Sequence, residues 1–148
     1  MTTIAWDGRY LAADSRTTAH DTIMSDESVK IIITGDYVIA ISGSTDADDI
    51  LIEAIKNGQG SSKKNSGAIF LTNNKAYKCS FGEDGELWIC PSNYKNSIGT
   101  GRDHALTAMD LGCTAMDAIK FAIKRDTGSG GLIRYYDTKS KERKIETY

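Results

Sequence analysis

The sequence predicts an α+β fold in which two antiparallel β-sheets pack together with helices outside them. Short strand-like segments joined by tight turns fill the first forty residues and the middle of the chain, a pattern typical of antiparallel sheets. Helix-like segments come once after the second hairpin and twice near residues 102–124. Strands and helices therefore do not alternate one by one, as they would in a parallel sheet.

A hairpin opens the chain. Residues 3–6 predict a strand that returns as residues 9–13, and Asp7-Gly8 between them is a strong hairpin-turn signal. A two-residue loop at Asp7-Gly8 would pair Ile4 with Leu11 and Thr2 with Ala13. The hairpin therefore predicts that Asp14 lies beside Thr2.

A second hairpin is predicted from residues 29–33 and 37–41 across a Gly35-Asp36 turn, with Lys30 opposite Ile41. A helix over 45–57 follows, with its apolar face on Ile50, Leu51, Ala54 and Ile55. Ser44 or Thr45 is the predicted N-cap, Asp48 closes a capping box from Thr45, and Gly58 is the C-cap.

The remaining chain repeats these signals. The polar stretch GQGSSKKNSG predicts a flexible loop, and AIFLT, KAYKCS and ELWICP predict strands. SIGTGRDHALTAMDLG reads as a strand end, a glycine turn and a helix. Thr114 is a predicted N-cap with Asp117 in its box, and the helix from Ala115 ends near Lys124. LIRYYD and KIETY are the predicted closing strands.

Composition narrows the function classes. The 148 residues suit one domain, 1–148, and a net charge of −2 gives no reason to expect nucleic acid or a membrane surface. No apolar run has the length of a membrane span. Three unclustered cysteines favour a reducing cytoplasm, and only two histidines argue against a histidine-based triad. We expect no metal and no cofactor.

Thr2 is the first candidate for chemistry. A threonine early in a strand is ordinary, but removal of Met1 would give Thr2 a free α-amine. Such an amine has a pKa near ~7.7–8.0 and can take the proton of the Thr2 hydroxyl without any histidine. Lys30 interrupts the apolar run VKIII. It is either a lysine on an exposed strand face or a buried cation beside a carboxylate such as Asp14.

Two glycine-rich stretches also present polar groups. KRDTGSGG, residues 124–131, carries Asp126 and Ser129 at a turn between a helix and a strand, and no P-loop motif is present. GTGRDHA resembles half of a dinucleotide-binding fingerprint, but His104 occupies the third glycine position. A small nucleotide-binding domain is therefore an alternative with little support.

Six motifs in order resemble the proteasome β-subunits and their bacterial relative HslV, which are N-terminal nucleophile hydrolases. They are TTIA, LAADSRTT, VKI, ISGSTDAD, IGTG and RDTGSGG. Each is weak alone, and their shared order and the sixteen residues from Asp14 to Lys30 carry the resemblance. It implies a four-layer αββα sandwich and a threonine endopeptidase acting on peptides or unfolded proteins.

The resemblance also implies roles for single residues. Thr2 would be the nucleophile, with Asp14 and Lys30 as the adjacent ion pair and the Gly43 N–H as an oxyanion donor. Asp126 and Ser129 would support the amine and hydroxyl, together with Thr100, which replaces the usual serine. Thr18 and Ser44 would bind substrate. A homo-oligomeric ring or stacked rings, and an ATPase unfoldase partner, are the implied assembly.

The chain departs from this family in one region and raises one question at its start. Relatives have a helical hairpin where this chain has one short helix and the GQGSSKKNSG loop. A retained Met1 would block the amine, so activity requires that Met1 be removed. The alternative to a peptidase is a catalytically silent structural or assembly protein with the same fold.

Overall fold

The first sheet contains the first two and the last two strands of the described residues. The computed structural model describes residues 2–92 and 94–146, so the expectations about Met1 and about the last two residues of KIETY lie outside the described residues. The first sheet is antiparallel with strand order β10-β1-β2-β11-β12. Its strands are β1 (Thr3–Trp6), β2 (Tyr10–Ala13), β10 (Asn96–Gly99), β11 (Ile133–Asp137) and β12 (Glu142–Glu146).

A two-stranded hairpin, β3 (Thr17–Ala19) and β4 (Thr22–Ser25), is separate from both sheets and was not predicted.

The second sheet consists of five antiparallel strands: β5 (Ile31–Thr34), β6 (Tyr37–Gly43), β7 (Ser66–Thr72), β8 (Lys75–Phe81) and β9 (Leu87–Pro91). It is a meander, in which the strands follow one another in the order β5-β6-β7-β8-β9.

The described residues also form three α-helices. None of these helices is long and apolar enough to cross a membrane. A 3₁₀ turn (Thr45–Ala47) leads into α1 (Asp48–Asn57), while α2 (Arg102–Asp110) and α3 (Ala115–Arg125) follow β10. The Thr114 hydroxyl accepts from the Asp117 N–H, and Gly58 ends α1 with a left-handed φ of 74°. These two predicted caps are confirmed.

Three hydrophobic clusters show which faces meet. The cluster between the sheets contains Ile4, Leu11, Ile31 and Ile69. A second cluster joins the first sheet to α2 and α3 through Ala5, Met109 and Ile119. A third joins the second sheet to α1 through Ile39, Leu51 and Phe70. The α+β class with antiparallel sheets is therefore confirmed.

The first hairpin has a longer loop than predicted. Asp7 Oδ1 accepts hydrogen bonds from the N–H groups of Arg9 and Tyr10 at 2.8 and 2.7 Å. These bonds hold a four-residue loop, and Ile4 consequently pairs with Ala13 instead of Leu11. The shift is two residues, so every side chain keeps its face of the sheet. Asp14 therefore lies opposite Thr3, where its N–H donates to the Thr3 carbonyl at 3.2 Å.

The second hairpin has the predicted register, with Ile31 opposite Ala40 and the Ile41 N–H bonded to the Lys30 carbonyl at 3.0 Å. The capping box at Thr45 is wrong. Thr45 lies inside the 3₁₀ turn, and neither flanking N-cap residue makes a side-chain cap hydrogen bond. Ile50 is also exposed instead of forming part of the buried face of α1.

Candidate active site

Thr2 lies beside a buried lysine. Lys30 Nζ donates to Thr2 Oγ1 at 2.8 Å, and the same ammonium donates to Asp14 Oδ1 at 2.9 Å. The Arg16 carbonyl accepts from Lys30 Nζ at 2.6 Å. Only 9% of the Lys30 side chain and none of the Asp14 side chain is exposed. Lys30 is therefore the buried cation of the two alternatives that the sequence left open.

Both carboxylate oxygens of Asp14 are held in place. Oδ1 accepts from the Thr3 N–H at 3.0 Å in addition to Lys30, and Oδ2 accepts from the N–H groups of Arg16 at 3.2 Å and Gly130 at 3.0 Å. Four donors from four parts of the chain thus fix one buried carboxylate. Such full satisfaction is what a buried charge requires.

Burial sets the proton affinity of Lys30. Loss of solvation is the largest influence and lowers the pKa of Lys30 below its usual value, while the negative charge of Asp14 acts in the opposite direction. The ammonium is therefore a stronger acid than a surface lysine. It can stabilise negative charge that develops on the Thr2 oxygen.

A second chain of polar groups reaches the neighbouring residue, Thr3. Thr3 Oγ1 and Ser129 Oγ lie 2.7 Å apart, and Ser129 Oγ donates to Asp126 Oδ2 at 2.6 Å. Because the Ser129 proton is used on Asp126, Thr3 is the donor to Ser129. Thr100 Oγ1 also donates to Asp126 Oδ2 at 2.6 Å. The side chain of Ser129 thus contacts Thr3, the residue that follows Thr2.

Hydrogen bonds around Asp126 favour its ionised form. Burial acts to raise the pKa of Asp126, but hydrogen bonds from Ser129, Thr100 and the Gly128 N–H outweigh it and hold the pKa below its usual value. The Thr100 hydroxyl also lies 3.5 Å from the Thr2 carbonyl oxygen. The Asp126 group therefore reaches the Thr2 carbonyl through Thr100 and the Thr3 hydroxyl through Ser129.

Two glycines allow close approach around Thr2. Gly99 has φ 97°, and a Cβ there would overlap the Thr2 carbonyl group. Gly43 has φ 122°, and a Cβ there would overlap the backbone of Asn65. Only glycine adopts these conformations without strain, so both positions exclude a side chain.

Thr2 opens onto a cavity of about 1030 Å³. Several predicted site residues line it: Thr2, Thr18, Lys30, Gly43, Ser44 and Thr100. Asp14 contacts Lys30 from behind this lining, and Asp126 and Ser129 lie behind Thr100 and Thr3. The structure thus brings the predicted residues to one region, with Asp14, Asp126 and Ser129 supporting the cavity wall.

Sequence reasoning missed the residue that links these groups. Arg16 uses its backbone N–H on Asp14 and its carbonyl on Lys30, and its guanidinium forms a two-point contact with Asp26 at 2.8 and 3.2 Å. The guanidinium also donates to the Thr127 carbonyl at 3.2 Å. A Cβ at position 130 would overlap this guanidinium, so any residue larger than glycine there would displace the Arg16 side chain. The sequence signal that could have pointed to this contact is the opposite charges of Arg16 and Asp26, which are ten residues apart.

No group of three His, Cys, Asp or Glu side chains in residues 2–92 and 94–146 could hold a metal ion. The three cysteines are free, and burial raises the pKa of Cys79 to about 12, so its thiol stays protonated.

Comparisons with known proteins identify the fold. No protein-family model matches the chain, and no curated protein matches it. Among solved structures, the chain is similar to BPH from Thiobacillus denitrificans in complex with epoxomicin, with a TM-score of 0.68 and 18% identity. The match covers 91% of this chain and 96% of that one. The chain therefore has a proteasome-like fold.

Proposed function

We propose that the protein is a threonine endopeptidase in which the Thr2 hydroxyl, once Met1 is removed, attacks peptide bonds. One observation carries this proposal: Lys30 Nζ lies 2.8 Å from Thr2 Oγ1 while paired with the fully buried Asp14. A buried ion pair contributes little to stability compared with an apolar pair of similar volume. An ammonium held on a hydroxyl oxygen has a clear use in nucleophilic catalysis.

In the first step, the freed α-amine of Thr2 takes the proton of its own hydroxyl, and the oxygen attacks the substrate carbonyl carbon. Lys30 donates to the same oxygen and stabilises charge on it during the attack. The Gly43 N–H, on the wall of the same cavity, is the proposed donor to the oxyanion. The Asp126, Ser129 and Thr100 group holds the backbone that carries the amine.

In the second step, the amine returns its proton to the leaving nitrogen as the carbon–nitrogen bond breaks. An ester then joins Thr2 Oγ1 to the acyl half of the substrate. Water, deprotonated by the same amine, attacks the ester carbonyl carbon, and the bond from this carbon to Thr2 Oγ1 breaks. The amine returns the proton to Thr2 Oγ1, and the acyl half of the substrate leaves as a carboxylic acid. No cofactor enters this balance, and the substrate is a peptide or an unfolded protein.

The remaining parts of the proposal concern architecture and setting. We place α1 as the one helix on the outside of the second sheet in a shortened αββα sandwich. Subunits associate through the 45–57 region into a closed homo-oligomer in the cytoplasm, with an ATPase unfoldase as a candidate partner. Closed rings sequester active sites. Light scattering at micromolar concentration checks this assembly, and a monomer alone would contradict it.

The decisive experiment combines intact mass with covalent labelling. Protein lighter by one methionine has a free Thr2, and we expect it to gain the mass of one epoxomicin molecule and to hydrolyse short fluorogenic peptides. Thr2→Ser keeps hydroxyl and amine and should retain part of the turnover. Thr2→Ala keeps the amine but removes the hydroxyl together with one methyl group, and it should fold but neither label nor turn over.

Two results would overturn the proposal. Labelling that persists in Thr2→Ala places the nucleophile elsewhere. Protein that lacks Met1 and is folded, yet neither labels nor hydrolyses peptides, favours the silent structural or assembly protein instead.

A further inference from the structure

We propose that the cavity beside Thr2 binds a lysine or arginine side chain of the substrate residue whose carbonyl carbon is attacked. The Asp48 carboxylate binds the positive charge of that side chain. This inference rests on the proposed function, because it names the substrate class of the same site. It follows from the position of Asp48, from the cavity walls around it and from the lack of a salt bridge to Asp48 within the described residues.

Asp48 faces the cavity from the start of α1. It begins the helix and lines the same cavity as Thr2, whereas Asp49, the next residue, lines a separate shallow depression with Ile50 and Glu53. Acidic residues in a first turn usually need no explanation beyond the helix dipole. Here only one of two adjacent carboxylates is half-buried and turned to the cavity.

The walls beside Asp48 suit a long aliphatic side chain. Ile32 and Ile41 line the cavity and belong to the cluster that joins the second sheet to α1. Leu51 of α1 packs in the same cluster, so these isoleucines share the sheet face that α1 covers. A lysine or arginine stem can lie on such a wall while its charged end reaches a carboxylate.

The Asp48 carboxylate has no cation to neutralise it among residues 2–92 and 94–146, in which no salt bridge involves it. Burial is the largest influence and raises the pKa of Asp48 to about 6, with further contributions from Asp49 and Asp46. The neighbouring carboxylate, Asp46, is paired with Lys64. A positively charged substrate side chain would stabilise the ionised Asp48 carboxylate against both its burial and its repulsion by Asp49 and Asp46.

None of the four lysine and arginine side chains that line the cavity forms a salt bridge with Asp48 within the described residues. Arg16 pairs with Asp26, Lys30 with Asp14, and Arg102 lies near Asp103. Lys78 pairs across the sheet with Ile69, a member of the cluster between the two sheets. Side chains alternate along a strand, so Lys78 points to the sheet face opposite to the one that α1 covers. The remaining titratable groups of the lining are His20 on the β3–β4 turn, Asp46, which pairs with Lys64, and the thiol of Cys79.

A buried hydroxyl in the same wall also lacks a partner. Ser66 lines the cavity, is 2% exposed, and its Oγ makes no hydrogen bond within the described part of the chain. It shares the sheet face of Ala68 and Phe70, which belong to the α1 cluster. An unsatisfied buried acceptor is costly. Ammonium and guanidinium groups carry several hydrogen-bond donors, which the Ser66 hydroxyl and the Asp48 carboxylate could accept.

The test compares three fluorogenic peptides that differ only in the residue before the scissile bond: arginine, leucine or glutamate. We expect arginine to give the highest kcat/KM. Asp48→Asn should lower the arginine-to-leucine ratio of kcat/KM by about tenfold, the effect of a lost charge-assisted hydrogen bond. Asp49→Asn, which removes the same charge one residue away, should leave this ratio within about twofold.

A pH series tests whether the Asp48 carboxylate carries the preference for arginine. The arginine-to-leucine ratio should rise between about pH 5 and pH 7.5 as the Asp48 carboxyl loses its proton. This rise should disappear in Asp48→Asn. A rise that persists in Asp48→Asn assigns the titration to another group and overturns the role of Asp48.

A binding measurement keeps the inference independent of turnover. Thr2→Ala protein is titrated with a tripeptide amide ending in arginine or norleucine, and chemical shifts of the cavity residues report binding. Tighter binding of the arginine peptide that is lost in the Thr2→Ala/Asp48→Asn double variant supports the inference even if wild-type protein turns nothing over. Equal binding of both peptides, or preferred cleavage after leucine or glutamate, overturns it while leaving the proposed peptidase intact.

Discussion

The two walls of the cavity are built in different ways. On the wall from the first sheet, the Asp14 carboxylate accepts four hydrogen bonds, and Asp126 accepts from two hydroxyls and one backbone N–H. On the wall beside α1, Ser66 Oγ and the Asp48 carboxylate carry no such bonds within the described residues. The carboxylates of the first wall, Asp14 and Asp126, thus have their hydrogen-bond partners within the fold, and we call it the satisfied wall. The wall with Ser66 and Asp48 is called the unsatisfied wall.

This difference divides the work of the proposed site. Groups that perform chemistry must already be in place before the substrate arrives, because reorganisation during the reaction adds to the barrier. Groups that recognise a substrate gain most when the substrate supplies their missing partner. The satisfied wall therefore suits catalysis and the unsatisfied wall suits recognition.

The largest effect is expected where the satisfied wall loses its cation. Lys30→Ala leaves the Asp14 carboxylate buried without its charge partner, which costs about 3–5 kcal/mol in the free energy of unfolding. Turnover should fall below detection because the Thr2 oxygen loses its neighbouring ammonium. Chemical denaturation and peptide hydrolysis measure the two effects.

Lys120→Ala is the matched control for Lys30→Ala. Lys120 also pairs with carboxylates, those of Asp117 and Glu146, but on the surface. Such exposed pairs contribute about 0–1 kcal/mol, so stability and turnover should stay near the wild-type values. Full turnover in Lys30→Ala would show that the satisfied wall is structural and not catalytic.

Gly43→Ala tests the point where the two walls meet. Its φ of 122° and the overlap of a Cβ with Asn65 predict a loss of about 3 kcal/mol in the free energy of unfolding and a loss of turnover. Gly35→Ala is the control, because Gly35 also has a positive φ, 56°, but no atom lies within 4 Å of its would-be Cβ. Its cost should be about 1–2 kcal/mol, with turnover unchanged. Equal effects of the two changes would contradict a special role for Gly43.

The sequence predicted the elements of the satisfied wall better than their contacts. The register of the second hairpin follows from its turn residues and apolar patterning, which act locally. The contact of Thr3 with Ser129 joins residues 126 positions apart, and no local pattern encodes it. The first hairpin was misplaced by two residues because one side chain, Asp7, lengthened the loop.

The unsatisfied wall could not be predicted for a related reason. Asp48 was assigned to a capping box, since its spacing from Thr45 is the usual signal. Only the 3₁₀ turn, which moves the helix start to Asp48 itself, shows that its carboxylate is left for the cavity. The β3–β4 hairpin carries few apolar residues in a clear period, so it gave no strand signal either.

A smaller effect is expected from Asp26→Asn, which acts on the satisfied wall through Arg16. The neutral amide weakens the two-point contact with the guanidinium, and the Arg16 carbonyl that holds Lys30 becomes less fixed. We expect kcat to fall about tenfold with KM unchanged. Asp137→Asn, which weakens a similar two-point contact with Arg9 far from the cavity, should leave kcat unchanged. A change in KM instead of kcat would assign Arg16 to substrate binding.

The smallest effect is a gain in stability on the unsatisfied wall. Because the pKa of Asp48 is raised to about 6, the folded state binds more protons than the unfolded state between pH 3.8 and about 6. The penalty for its charge is therefore absent at low pH and fully present above about pH 6. Asp48→Asn should raise the free energy of unfolding by about 1 kcal/mol at pH 7.5, after allowance for solvent screening of a half-exposed group. At pH 4 the gain should nearly vanish, and Asp49→Asn should show a smaller pH dependence. A loss of stability in Asp48→Asn at pH 7.5 would mean that the helix dipole outweighs burial, and the Asp48 carboxylate would then need no substrate cation to stabilise it.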